Sequence, residues 1–204
     1  MIAIIDYGAG NLPSVERALN HLGVPCRVTD RPLDIFSADR LIFPGVGAAG
    51  SAMKVLASRG LDRVIHEAVS RAVPFLGICL GAQIILGYSE EDRVPCLGLI
   101  PGNVRRFPPG DLKIPHMGWN DIALRRPHPV LAELGEEEQF YFVHSFYPSP
   151  DDEAFVIADT EYGTMFPSVI GKDNIIAVQF HPEKSGPCGL RLLKNFAGWD
   201  GRTG

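Results

Sequence analysis

Hydrophobic residues in this chain come in two rhythms, short unbroken runs and helical stripes, and the two alternate through the first half. Ile2–Ile5 is an unbroken run that stops at Asp6-Tyr-Gly-Ala-Gly10, which predicts a buried strand ending in a turn. Val15, Ala18, Leu19 and Leu22 then recur at i, i+3, i+4 and i+7 and define one face of a helix. Asn11 is its expected N-cap, Pro13 is tolerated in its first turn, and Gly23 closes it. Residues 25–29 and 41–43 predict two further strands, the second running into Pro44-Gly-Val-Gly47. Leu61, Val64, Ile65, Ala68, Val69 and Ala72 form a second helical stripe. Strands alternating with helices predict a parallel sheet covered on both faces, with ligands beyond the carboxyl ends of its strands.

From Glu90 onward the runs shorten, and proline and glycine become frequent. Strands are expected at 96–100, 104–107, 122–124, 139–146, 155–158, 165–170 and 175–180, the last two joined by a hairpin loop at 171–174. They read as partly antiparallel additions that complete a mixed sheet. Residues 127–150 look loosest, with Glu136-Glu-Glu138 a solvated acidic face. A closing helix is expected at 190–196 and a frayed tail at 198–204. With no internal repeat and no linker, residues 1–204 read as one domain.

The stretch Val73-Pro-Phe-Leu-Gly-Ile-Cys-Leu-Gly-Ala-Gln-Ile-Ile-Leu86 combines both rhythms: an apolar run, two interrupting glycines, then helix formers. Cys79 sits between Gly77 and Gly81, the spacing of a nucleophile elbow with cysteine in place of serine. The glycines keep the sharp strand-to-helix turn free of colliding side chains. A thiol at a helix N-terminus faces unpaired amides and the positive end of the dipole, both of which favour the reactive thiolate. Taken alone, a cysteine in an apolar run is more often a small core residue. A matching base changes that: the run at 175–180 ends in His181-Pro-Glu183, and residues two apart on an extended segment point the same way. Glu183 could orient the imidazole while His181 takes the thiol proton.

Composition narrows the alternatives. At 46% hydrophobic and 21% charged residues, the chain reads as a soluble globular protein. A net charge of −5 argues against a nucleic-acid partner. Cys26, Cys79, Cys96 and Cys188 form no Cys-x-x-Cys pair, so neither a metal site nor a disulfide framework is expected, and a reduced cytoplasm fits. The N-terminus carries no secretory signal, and the apolar stretch at 72–87 is too short and too rich in glycine to span a membrane. The glycines of the first turn have the wrong spacing for a dinucleotide fingerprint, and no cofactor is expected.

Gly77-Ile-Cys-Leu-Gly-Ala-Gln83 together with Gln179-Phe-His-Pro-Glu-Lys-Ser185 resembles the Cys-His-Glu triad of the class I glutamine amidotransferases. Ile5-Asp-Tyr-Gly-Ala-Gly-Asn11, Pro44-Gly-Val-Gly47, Pro115-His-Met-Gly-Trp-Asn120 and Tyr141-Phe-Val-His-Ser145 narrow the resemblance to the glutaminase-subunit family of imidazole glycerol phosphate synthase, over residues 1–196. The resemblance implies an α/β fold with a mixed, mainly parallel sheet, helices on both faces and a nucleophile elbow. It makes Cys79 the nucleophile, His181 the base and Glu183 its orienter. Gly45, Val46 and Gly47 would form the oxyanion segment, able to flip a peptide when the hole is needed. Leu80, Gln83, Val143, Ser145 and Phe146 would line a glutamine pocket. His144 would be a pocket or interface residue, and Tyr141 and Lys184 would lie near the partner. That partner is a separate cyclase subunit, in a heterodimer, which uses the ammonia to make imidazole glycerol phosphate and AICAR in histidine biosynthesis. Ala9 and Ala82 depart from the larger residues of many relatives, at positions without chemistry. Other class I amidotransferases, a γ-glutamyl hydrolase and a non-catalytic α/β binding subunit remain as alternatives; glutamate release with and without a cyclase separates them.

Overall fold

Eight strands form the central sheet of the computed structural model, which describes residues 1–135 and 138–202. The first half alternates as its pattern predicts: β1 (Ile2–Ile5), α1 (Leu12–His21), β2 (Cys26–Thr29), α2 (Pro32–Phe36), β3 (Arg40–Gly45), α3 (Ala49–Arg59), α4 (Leu61–Ser70), β4 (Phe75–Cys79) and α5 (Leu80–Ile84). The second half contributes β5 (Tyr88–Ser89), β6 (Val94–Pro95), β7 (Gly102–Arg106), β8 (His116–Asp121), β9 (Ala123–Leu124), β10 (Gln139–His144), β11 (Phe146–Pro150), β12 (Val156–Glu161), β13 (Met165–Lys172), β14 (Ile175–Val178) and α6 (Gly186–Gly198). The sheet runs β2-β1-β3-β4-β14-β13-β12-β9. It is parallel from β2 to β14 and antiparallel from there to β9. A β8–β10 ribbon and a four-stranded sheet, β11-β7-β5-β6, sit beside it.

The unbroken apolar runs of β1 and β4 have one cause: every residue in them is buried. Ile2, Ile4, Leu76 and Ile78 pack into a core shared with α1 and α6, while Ala3, Ile5 and Phe75 face α2, α3, α4 and α5. A strand covered on both sides has no position where a polar residue is free of cost.

Several elements differ from expectation. Two helices, α2 and α3, were not predicted; α3 buries only Ala49, Ala52 and Leu56, too sparse a stripe to stand out. The stripe at 61–72 ends with α4, leaving Val69 half-buried and Ala72 exposed at φ 61°. Residues 96–100 are not a strand. Their amides donate to the carbonyls of Ile84, Ile85, Leu86 and Gly87, so the run closes the end of α5. The expected strand at 139–146 breaks at Ser145 into β10 and β11, and 116–121 forms a strand, β8, before the short β9. Within 127–150 the described residues 139–144 and 146–150 are therefore strand rather than loose loop. The β13–β14 hairpin pairs Lys172 with Ile175, which reduces the loop to Asp173-Asn174.

The tail is not frayed over its described part. Trp199 is buried, its indole donates to the Arg202 carbonyl, and Arg40 Nε donates to the Trp199 carbonyl at 2.7 Å. Glu136 and Glu137 of the acidic run lie outside the described residues, and Glu138 is paired with Arg191 at 2.7 Å.

The elbow glycines are required by contact. A Cβ on Gly81 would lie 2.1 Å from the Phe43 carbonyl oxygen, and one on Gly77 would lie 2.7 Å from that of Gly81. Gly81→Ala is therefore expected to lower stability by at least about 2 kcal/mol, since backbone on both sides must move. Gly110→Ala, where a Cβ meets nothing, should stay within about 0.5 kcal/mol of wild type. Urea unfolding of the two variants checks the contrast, and equal losses would remove the steric account.

Candidate active site

Cys79 ends β4 with φ 53° and ψ −106°, a conformation that a non-glycine residue holds only when its surroundings impose it. Its side of the sheet edge is set by pairing. β3 lies on one flank, with Gly45 opposite Cys79, and β14 on the other, with Val178 opposite Ile78. The residues that follow Val178 must therefore pass beside Cys79. Gln179 does so first: its Nε2 donates to the Cys79 sulfur at 3.7 Å, and its Oε1 accepts from Gln83 Nε2 at 3.0 Å. The helix after Cys79 is only five residues long, so its dipole is a smaller influence than the sequence implied.

His181 comes next on that edge. Its Nδ1 lies 2.9 Å from Glu183 Oε1, and both side chains are essentially sealed from solvent. The backbone around it is clamped, with His181 N donating to the Tyr141 carbonyl and Ser185 Oγ donating to the His181 carbonyl at 2.7 Å. Asn11 occupies the N-cap position of α1 without capping it; its amide donates instead to Glu183 Oε1 at 3.4 Å. Burial alone pulls the imidazole pKa down. Interactions with the nearby Cys79 and with the hydrogen-bonded Glu183 outweigh it and push the pKa up to about 9. No hydrogen bond to Nε2 is formed in this geometry, so the influence of Cys79 is that of a close neighbour rather than of a bonded partner.

A cavity of about 420 Å³ opens between these groups. Cys79, His181, Val46, Gly47, Leu80, Gln83, Val143, Ser145 and Phe146 line it, together with His144, Pro115 and Glu91. Gly45 and Glu183 stand behind its wall: Gly45 in β3, where a Cβ would meet Leu80 Cβ at 2.7 Å, and Glu183 behind the imidazole. A larger cleft of about 810 Å³ along β9 and β12 is lined by no cysteine or histidine.

Four site residues escaped the sequence reading. Glu91 lines the cavity, accepts from Ala49 N at 2.8 Å, and burial raises its pKa. Tyr7 is buried and stacked on Phe43; its hydroxyl donates to the Val46 carbonyl at 3.1 Å and accepts from Val46 N at 3.2 Å. Gln179 carries no role in the sequence pattern, and Asn11 only that of an N-cap, which it does not fill. Their contacts join segments far apart in sequence, which no local spacing reveals. Among the described residues, no cluster of three or more His, Cys, Asp or Glu could hold a metal ion, and no helix is long and apolar enough to cross a membrane.

A strained cysteine after a parallel strand, with a histidine–carboxylate pair delivered by the neighbouring strand, defines a class of protein. Residues 3–198 match the family described as glutamine amidotransferase class-I, and the chain belongs to that family. Among curated relatives, the imidazole glycerol phosphate synthase subunit HisH of Nitratidesulfovibrio vulgaris (strain DP4) is 52% identical, over 96% of this chain and 95% of its own. The subunit of that name from Aromatoleum aromaticum is 47% identical, over 97% of this chain and 98% of its own. A solved glutamine amidotransferase superposes with a TM-score of 0.76 at 20% identity, covering 98% of this chain and all of its own. PurLQS from Thermotoga maritima gives 0.76 at 19%, covering 97% of each chain. The two structures establish the shared fold.

The raised His181 pKa sets a sign. The group contributes stability that is complete below its unfolded value near 6.5 and is lost as pH rises through about 9. An NMR titration should place the His181 midpoint near 9 and find it lower in Cys79→Ala and in Glu183→Gln. A wild-type midpoint below 6.5 would contradict the assigned neighbours.

Proposed function

We propose that this chain is the glutaminase subunit of an imidazole glycerol phosphate synthase, acting in histidine biosynthesis in the cytoplasm. Residues 1–204 serve as one amidotransferase domain, which passes ammonia to a separate cyclase subunit. The observation that carries the reading is the meeting of Cys79 and His181, backed by Glu183, at one cavity with ample room for glutamine, in a chain about half identical to relatives of that name.

The chemistry follows from the geometry. His181 takes the thiol proton, and the Cys79 sulfur attacks the side-chain amide carbon of glutamine, forming a C–S bond as the carbonyl π pair moves onto oxygen. As the tetrahedral adduct collapses, the C–N bond breaks and His181 delivers its proton to the leaving ammonia. Water then attacks the γ-glutamyl thioester, giving a proton to His181; the C–S bond breaks, His181 returns that proton to the sulfur, and glutamate leaves with the thiol restored. Glu183 holds Nδ1, which points Nε2 at the reacting atoms.

The oxyanion is the remaining charge to stabilise. Val46 N–H, on the segment facing Cys79, is engaged by Tyr7 Oη, so this peptide must turn before it donates to the oxyanion. That supports a hole assembled only in the complex, where ammonia has a consumer. The exposed side chains of Met117 and Trp119, with Lys184 over the Tyr141 ring at 5.6 Å, support a docking face on the β8–β10 ribbon.

The test is glutamate release measured with and without the cyclase loaded with its ribonucleotide ligand. The isolated chain should turn over slowly, and the loaded complex should raise kcat at least about 100-fold, the worth of one oxyanion donor. Cys79→Ala should abolish release in the complex while leaving a folded protein. An isolated chain as fast as the complex would end the coupling, and an active Cys79→Ala would end the assignment of the nucleophile.

A further inference from the structure

Two buried histidines, His144 in the cavity wall and His116 behind it, take no part in the reaction just described. His116 on β8 and His144 on β10 face one another across the ribbon, in register, with His116 Nδ1 3.0 Å from His144 Nε2. Each is almost completely enclosed, at 2% and 5% exposure, which for an imidazole is costly unless both nitrogens are satisfied.

The hydrogen-bond partners fix every proton in the chain. His144 Nδ1 lies 2.8 Å from the Phe146 carbonyl oxygen, which can only accept, so Nδ1 carries a proton. Burial lowers the His144 pKa to about 3, so the ring is neutral and its Nε2 is an acceptor. His116 Nδ1 must then donate to it. His116, lowered by burial to about 4, is neutral as well, and its Nε2 accepts from Asn120 Nδ2 at 3.3 Å. The other amide proton of Asn120 goes to the Glu161 carbonyl at 2.9 Å. Every donor meets an acceptor in one direction only, from Asn120 to His116 to His144 to the Phe146 carbonyl.

The far end of this relay is a wall of the cavity. The Phe146 carbonyl also accepts from Gln83 Nε2 at 2.9 Å, so two donors from different elements hold it, and Phe146, Gln83 and His144 all line the cavity. Its position is set where β10 breaks and β11 begins, at Ser145, a junction with no regular ladder of its own. His116 is itself fixed between the Phe142 and Tyr162 rings, at 4.8 and 3.9 Å.

We infer that His116, which does not line the cavity, is a positioning residue for glutamine binding: acting through a single tautomer of His144, it sets the Phe146 carbonyl and with it the 143–146 wall. The inference rests on the glutaminase reading for its substrate and on the hydrogen-bond chain for its mechanism.

The experiment separates the two. In the chain labelled with ¹⁵N-histidine, long-range ¹H–¹⁵N spectra should show His144 and His116 both as the Nδ1–H tautomer at neutral pH. In the assembled synthase, His116→Phe keeps the ring sandwich and removes the donor. It should raise KM for glutamine about tenfold, the scale of one lost hydrogen bond, with a much smaller change in kcat. His116→Asn, whose amide can donate from near the Nδ1 position, should recover most of that loss. A folded His116→Phe variant with unchanged KM would overturn the inference, as would an Nε2–H tautomer on His144. Failure of the wild-type complex to hydrolyse glutamine would sink the proposed function instead, and the nitrogen spectra would still decide the relay.

Discussion

The approach of Gly81 to the backbone of Phe43 is the constraint on which the site depends. A Cβ at that position would fall 2.1 Å from a carbonyl oxygen, so the start of α5 can lie against β3 only as glycine. That contact holds the turn at Cys79 in its strained form and sets the cysteine beside the segment that follows β3. On the other flank, parallel pairing of β4 with β14 carries Gln179 and His181 past the same point. Cys79, His181 and the segment at Val46 and Gly47 thus converge because three neighbouring parallel strands end together. No long side chain has to reach across the molecule.

Burial acts on three histidines at this site with opposite results. His116 and His144 meet neutral partners, and burial leaves them as uncharged rings lowered to about 4 and 3. His181 is buried as deeply but lies between Cys79 and Glu183, whose interactions outweigh desolvation and push it to about 9. The first pair is suited to holding geometry and the third to moving a proton. What separates them is the sign of the neighbouring charge rather than depth.

Much of this was legible in the sequence, and the limits have physical causes. The buried strands β1, β3 and β4 announce themselves as unbroken apolar runs, and the Gly77–Cys79–Gly81 spacing and the His181–Glu183 pair locate the chemistry. The run at 96–100 misleads because it is apolar, yet its amides are consumed by the end of α5 rather than by a strand. The helix α3 is hidden because alanine and glycine make most of its first turn. Tyr7 on Val46, Asn11 on Glu183 and His116 on His144 are tertiary contacts whose existence depends on strand order and register. Nothing in local spacing encodes them. The tail at 198–202 looked polar and loose, and one buried tryptophan was enough to anchor it.

The central claim is that one of four cysteines is a poised nucleophile. Burial pushes the thiols of Cys26, Cys188 and Cys96 upward, Cys96 to about 11, and none of the three lines the cavity beside His181. A diazoketone analogue of glutamine, added to the assembled synthase and followed by peptide mass spectrometry, tests the claim directly. The account predicts one covalent label per chain, on Cys79, appearing in step with loss of glutamate release and suppressed by glutamine. Inactivation with the label on another residue, or with Cys79 unmodified, would contradict it.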